Sequence, residues 1–319
     1  MNMKNGVQNI QHLNSRIHLI SVIVLTYKNQ MYIKETLKSI LEQDYPRIEL
    51  VISDDASGCF NREDIERFIQ EHQSNNIESL VININEKNLG TVKHANFIIS
   101  KTMGDFIKFV PCGDKFYNSN SLKELYRFAF ENDSILTSSA VLFCSQDFKI
   151  NYYKHPNSIR TKKLMSLSPI ELFKYLCGFN IIAAVSVLYR RDFFKQYTFD
   201  ERYRLLEDWP MWLRVSREGV KIYHLDLITM CYADGGISSK DSDAFRSKTL
   251  REDLLTCYKL EIIPYINELN FITKQFVKYK FASLNKKRKY FYVKYALFIA
   301  YDELKHYIKF LVKSRGSNG

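Results

Sequence analysis

The six cysteines of this 319-residue chain are scattered, and no two of them form a CxxC pair. That absence argues against a zinc site and against a disulfide framework, and leaves reduced thiols in a cytosolic protein as the plain expectation. The opening stretch "MNMKNGVQNIQHLNSRIHLI" lacks the apolar core that a secretory signal needs. No uncharged apolar run is long enough to cross a bilayer, so membrane contact is expected only at the periphery. Internal repeats and low-complexity linkers are missing as well. No GxGxxG follows the first strand-like run, which disfavours a dinucleotide-dependent dehydrogenase.

What is present describes a globular chain. An apolar content of 46% with 25% charged residues suits one large domain, or one domain with an extension. "LISVIVLTY" (Leu19 to Tyr27) reads as a strand buried on both faces, and "MYIKETLKSILEQ" as a helix with Ile33, Leu37, Ile40 and Leu41 on one side. "RIELVISDD", "SLVINI" and "DFIKFV" read as further strands, separated by helices at "REDIERFIQEH" and "TVKHANFIIS". The alternation predicts an α/β domain with a mainly parallel central sheet flanked by helices. Ligands of such sheets bind beyond the carboxyl ends of the strands, so the loops after Thr26, Ser53 and Val110 come first. A helix is expected near Ser121 to Glu131, strands in the apolar runs Ile135–Cys144 and Ile181–Tyr189 and in "KIYHLDLITMCYA", and a long helical tract from about Asp243. The organisation expected is a polar arm over 1–18, the α/β domain over 19–240, and a helical, basic extension over 241–319.

Several loop motifs carry both a chemical and a plain reading. Adjacent carboxylates at Asp54 and Asp55 offer acceptors to the base and ribose of a nucleotide, yet the same pair can organise an Asx-turn before Ser57-Gly58. In "NLGTVKHAN", Asn88 and Gly90 mark a turn, and Lys93 and Asn96 fall on the first turns of a helix, Lys93 within reach of an anion. Lys93 can equally be a solvated surface cation. Asp114, in the loop "VPCGD", can hold a divalent ion against a diphosphate or can simply close a turn after Gly113. In "LLEDWPMWLR", Asp208 stands two residues before Pro210, as a helix-capping acid would; it can also take a proton.

Taken in order, "SVIVLTYKN", "LVISDDAS", "NLG…KHAN", "GDFIKFVPCGD", "LEDWPMWLR…EG" and "YADGGISS" resemble an inverting family 2 glycosyltransferase over roughly Ile20 to Ser239. The resemblance implies a GT-A fold and a nucleotide-sugar donor, by default a UDP-sugar. It implies that Thr26, Tyr27, Lys28, Asp54, Asp55, Lys93 and Asn96 line the nucleotide, and that Asp208 is the base. Glu207 and Trp209 would orient the loop or touch the acceptor. Asp114 matches the last acid of the family's metal-binding loop and would hold Mn²⁺ or Mg²⁺. Two departures stand out. Pro111 and Gly113 replace acids of the usual "LDADD" loop, leaving Asp114 with Lys115 behind it, and "YADGGISS" lacks the family's usual His.

The implied reaction is a single displacement. An acceptor hydroxyl attacks the anomeric carbon, Asp208 takes its proton, and positive charge receives the leaving diphosphate. The implied setting is bacterial surface-polysaccharide synthesis at the cytoplasmic membrane face, with a glycan or lipid-linked acceptor. The alternative is a non-catalytic, GT-A-shaped binding subunit of a glycan assembly complex.

Charge is concentrated at the end of the chain. Lys274 to Arg315 holds twelve Lys and Arg against Asp302 and Glu303, which is +10 of the chain's +11. Leu297, Tyr301, Leu304, Ile308 and Leu311 form a stripe at helical spacing, with Lys305, Lys309 and Lys313 away from it. The pattern suits an anionic membrane surface, or a helix packed on the domain or on a second copy of the chain. No nucleic-acid-binding module accompanies it.

Overall fold

The computed structural model describes residues 17–72, 75–234, 248–285, 295–301 and 304. Strand β1 (Ile20–Thr26) runs parallel to β2 (Ile48–Asp54) on one side and to β4 (Phe106–Phe109) on the other; β3 (Ile77–Ile84) lies parallel beside β2. Because side chains alternate along a strand, β1 and β2 feed two cores. Ile23 and Val51 face one, with Val92, Ala95 and Ile98 of helix α3 (Thr91–Ile99). Val22, Val24, Leu50 and Ile52 face the other. There they meet Ile33, Leu37 and Ile40 of α1 (Ile33–Leu41) and Leu122 and Leu125 of α4 (Ser121–Glu131). Helix α2 (Arg62–Glu71) is capped by Asn61, whose side chain accepts the Asp64 N–H.

Beyond β4 the sheet becomes mixed. β6 (Leu136–Cys144) pairs antiparallel with β7 (Asn151–His155) and β8 (Leu188–Arg190), and parallel with β9 (Tyr223–Ala233); β5 (Lys115–Phe116) lies antiparallel on β9. The strand order is β3-β2-β1-β4-β8-β6-β9-β5, with β7 attached to β6. The apolar run from Ile181 becomes a strand only at Leu188. Before it, Ala184–Ser186 form a 3₁₀ turn. The reason lies in its carbonyls: Lys108 Nζ donates to the Val185 oxygen and Ser139 Oγ to the Ser186 oxygen (3.2 Å). Side-chain donors thus do what a neighbouring strand would do, and the run is buried without pairing.

The last layer is helical. Helices α5 (Ser158–Ser166), α6 (Pro169–Leu176) and α7 (Arg191–Gln196) precede α8 (Asp208–Arg217), which packs its Trp212 into the first core. α9 (Lys248–Cys257) runs into a π turn (Tyr258–Ile262) ahead of Pro264, and α10 (Phe271–Leu284) follows, capped by Asn270. Cys257, Tyr258, Ile262 and Val277 join the same core as Trp212, so this part of the basic extension packs on the domain. Leu297, Tyr301 and Leu304 are exposed. Ile308, Leu311, Lys305, Lys309 and Lys313 lie outside the described residues, as do 1–16 and all of "GGISS".

At the amino ends of β1 and β4, Gly104 admits no side chain: a Cβ there would stand 2.4 Å from the Ser21 N and 2.9 Å from the Phe106 O. Gly104→Ala is therefore expected to destabilise the fold by about 1–3 kcal/mol, because backbone must shift to make room. Urea unfolding should show a lower midpoint at unchanged slope. An unchanged midpoint would contradict this packing.

Candidate active site

Three loops leave the carboxyl edge of the parallel strands, and hydrogen bonds knit them together. Thr26 Oγ1 donates to Asn29 Oδ1 (2.7 Å), and Asn29 Nδ2 donates to the Cys112 carbonyl (2.7 Å), joining the loops after β1 and β4. Lys28 N donates to Ser57 Oγ (2.8 Å), and Ser57 N to Asp54 Oδ2 (2.8 Å), joining the loops after β1 and β2. Lys28 takes a left-handed backbone, φ +56°, to make that turn.

The two acids after β2 are turned inward. Asp54 forms the Asx-type turn with Ser57 and is buried. Asp55 accepts from Asn85 Nδ2, Asn88 Nδ2, Leu89 N and Gly90 N, each at 2.9 Å. Four donors fill what two carboxylate oxygens can accept, so Asp55 fixes the loop before α3. Asn96 is also committed: it donates to the Phe199 carbonyl (2.8 Å) and accepts the Phe199 N–H (3.1 Å). Thr26 is buried, whereas Tyr27, Lys28 and Lys93 are exposed. Of the residues picked from sequence for the nucleotide, these three offer open surface.

The loop after β4 lies against the end of β9. Asp114 Oδ1 accepts the Ala233 N–H (2.9 Å), which brings "VPCGD" beside "YAD". Burial pushes the Asp114 carboxyl up to about 7. Next to it lies Lys108, fully buried in β4, its ammonium on the Phe109 (2.9 Å) and Val185 carbonyls and brought down to about 7 by burial. A lysine inside "FIKFV" was the available signal, and periodicity alone passed over it. Lys115 is occupied elsewhere, 3.8 Å from Glu35 and 4.2 Å from the centre of the Phe148 ring. Among the described residues no three His, Cys, Asp or Glu side chains gather as a metal site. A single buried carboxylate with one oxygen already engaged does not amount to a divalent-ion centre.

The acid pair opens α8, and α8 is fixed by its two tryptophans. Trp212 is fully buried, donates Nε1 to the Ile182 carbonyl (3.3 Å) and stacks on Tyr189. Trp209 is buried too, with Nε1 on the Leu176 carbonyl (2.9 Å) and Tyr258 edge-on at 5.5 Å; it orients the helix. Asp208 stays partly exposed. Its Oδ1 accepts the Trp209 N–H (2.6 Å) and its Oδ2 the Asn180 Nδ2 (2.9 Å). Asp208 is thus the first residue of α8 and not its cap; the cap is Glu207, which makes no side-chain capping bond, and Asp208 keeps an open face. Desolvation raises the Asp208 pKa, and burial followed by the Asp208 charge pushes Glu207 up to about 8. The donors on both Asp208 oxygens favour its charged form and so work against the rise in its pKa.

The acid-pair segment also touches the donor-side loops. Arg204 donates to Asn88 Oδ1 (2.5 Å), and its carbonyl accepts the Val92 N–H (3.2 Å) at the start of α3. Gly90, at φ +82°, has no room for a Cβ, which would stand 2.7 Å from Arg204 Cγ. Asn29, Asn180 and Arg204 were not evident from sequence: an isolated Asn or Arg in a loop has no periodicity to betray it.

Comparison with known proteins bears on the family and the fold. A model of glycosyl transferase family 2 matches residues 21–198, more than half of the chain and ending before Glu207. The processive diacylglycerol beta-glycosyltransferase of Mycoplasma genitalium is 24% identical over 219 residues, 67% of this chain; the chain spans 63% of that protein's length. S. aureus TarS, solved with UDP-GlcNAc, matches 85% of this chain and 74% of its own, with a TM-score of 0.59 at 20% identity. The mannosyltransferase PcManGT from Pyrobaculum calidifontis, in complex with GDP-Man and Mn²⁺, matches 95% of this chain and 82% of its own, with a TM-score of 0.59 at 14% identity. At these identities the two structures speak for the fold, which is of the GT-A type. By the span of the family match, the chain belongs to glycosyl transferase family 2.

Proposed function

We propose that this protein is an inverting glycosyltransferase that moves a sugar from a nucleotide donor, a UDP-sugar, onto a glycan or lipid-linked acceptor in surface-polysaccharide synthesis. The observation that carries the reading is Asp208: a partly exposed carboxylate of raised pKa, its oxygens aligned by Asn180 and the Trp209 N–H. A general base needs this combination of fixed geometry and proton affinity. The acceptor oxygen forms a bond to the anomeric carbon as the bond to the diphosphate breaks, and the hydroxyl proton passes to Asp208. Attack opposite the leaving group inverts the anomeric centre. Lys28 and Lys93 are exposed cations by which the strand-end loops would receive the diphosphate, with Arg204 on Asn88 of the loop before α3. The chemistry of the described residues does not build a metal centre around Asp114, and no step here runs through an ion.

On this account Asp208→Asn lowers transfer about 10²- to 10⁴-fold, while the melting-temperature shift caused by donor is kept. Near-normal turnover would remove the base assignment. Because the Asp208 pKa is raised, the base is lost on acidification sooner than an ordinary aspartate would be. The acid limb of kcat/KM should therefore lie above the usual aspartate range, and a limb inside that range would count against the geometry. Slow release of nucleoside diphosphate from UDP-sugar without acceptor separates an enzyme from a binding subunit; no release above the buffer rate, with donor bound, would favour the subunit.

The acceptor side of the proposal includes a peripheral membrane contact through the C-terminal helix, supported by Leu297 at 85% and Leu304 at 57% exposure. Vesicles containing anionic lipid should pellet the full chain at low salt, and Leu297→Glu with Leu304→Glu should weaken this. Equal recovery with neutral vesicles, or none with either, would contradict it.

A further inference from the structure

Asp253 projects from α9 and is almost fully buried, 5% exposed, against the segment that precedes the acid pair. Its Oδ2 accepts the backbone N–H groups of Arg204 (3.0 Å), Leu205 (2.6 Å) and Leu206 (3.2 Å), and its Oδ1 also accepts from Arg204 (3.1 Å). Three consecutive amides converging on one carboxylate make an anion nest, and such charge-assisted bonds are about twice as strong as neutral ones. Nothing in a loop's own regular structure would use these part-buried amides, so without Asp253 they would lose their protein partner. Eight residues further on, the buried Glu261 takes Arg217 of α8 at 3.0 Å and Arg202 at 3.8 Å. α9 and the π turn after it therefore grip the acid-pair segment on both sides, from a part of the chain beyond the family match.

We infer that Asp253 is a positioning residue for the transfer reaction, holding Arg204–Leu206 so that Glu207 and Asp208 leave the loop at a fixed angle. The inference rests on the reading of Asp208 as the base. Asp253 need not meet the sugar or the nucleotide; it acts through three backbone amides. A carboxylate displaced by a fraction of an ångström loses rate while donor affinity, set at the strand-end loops, is kept.

The test uses the full chain, with Asp253→Asn, near-isosteric and uncharged, beside Asp253→Ala. Kinetics with saturating acceptor, the donor-induced melting shift and amide hydrogen exchange of residues 204–206 are measured together. The expected result is a fall in kcat of about 10- to 100-fold in Asp253→Asn, donor KM within about threefold of wild type, and faster exchange of the three amides. Asp253→Ala should do the same more strongly. Should Asp253→Ala not fold, Asp253→Asn and wild-type exchange still decide: wild-type Leu205 must be protected, and a freely exchanging Leu205 amide overturns the proposal. An unchanged kcat in Asp253→Asn, with Asp208→Asn inactive, overturns it while leaving the base assignment intact. A loss of kcat matched by an equal loss of donor affinity also overturns it, since that is what general destabilisation does. A wild-type chain with no transfer or donor hydrolysis would sink the base assignment and this inference together.

Discussion

A buried carboxylate needs donors and an irregular loop needs acceptors for its amides; in this protein each need meets the other. Asp55 collects the amides of Leu89 and Gly90 with two asparagine side chains. Asp54 collects Ser57, and Asp253 collects Arg204 to Leu206. Loops held this way keep one shape without strands or helices of their own, because breaking the contact would strand both an anion and its donors in the interior. The candidate site is a set of such loops on the carboxyl edge of a parallel sheet. Acids that look like ligand contacts in the sequence are therefore partly framework, and the surface left open belongs to Tyr27, Lys28, Lys93 and Asp208.

The same logic acts on the adjacent acids. Burial raises both Glu207 and Asp208, and the donors from Asn180 and Trp209 favour the charged form of Asp208. Two titratable neighbours driven apart by their surroundings are the usual mark of an acid–base site. Lys108 and Asp114 form a second such neighbourhood, a cation and an acid both held near neutrality by burial. It lies under the loop where acids are fewest, where the sheet passes from parallel to mixed.

Much of the fold could be read from the chain. The four strands and three helices up to Phe109 follow apolar periodicity because each is a regular element with a buried face, and Asp208 two residues before Pro210 marked the start of α8. The run from Ile181 misled because an apolar stretch reports burial and not pairing; its carbonyls are met by Lys108 and Ser139 instead of by a strand. The long helical tract breaks at Pro264, a residue visible in the sequence. For the proposed site, the motifs singled out Asp208 but not the residues that bond to it and to the loop before it. Asn180 and Asp253 lie 28 and 45 or more residues from it along the chain, and only folding makes them neighbours.

The central claim is that this lattice of satisfied acids aims the free side of Asp208 at the anomeric carbon of a bound donor. A crystal structure with an intact UDP-sugar analogue tests it directly. The account predicts the diphosphate over Lys28 and Lys93, an Asp208 oxygen facing the anomeric carbon from the opposite side, and Asp55 and Asp253 still on their loop amides. A donor bound away from the strand-end loops, or an Asp208 carboxylate turned from the sugar, would contradict it.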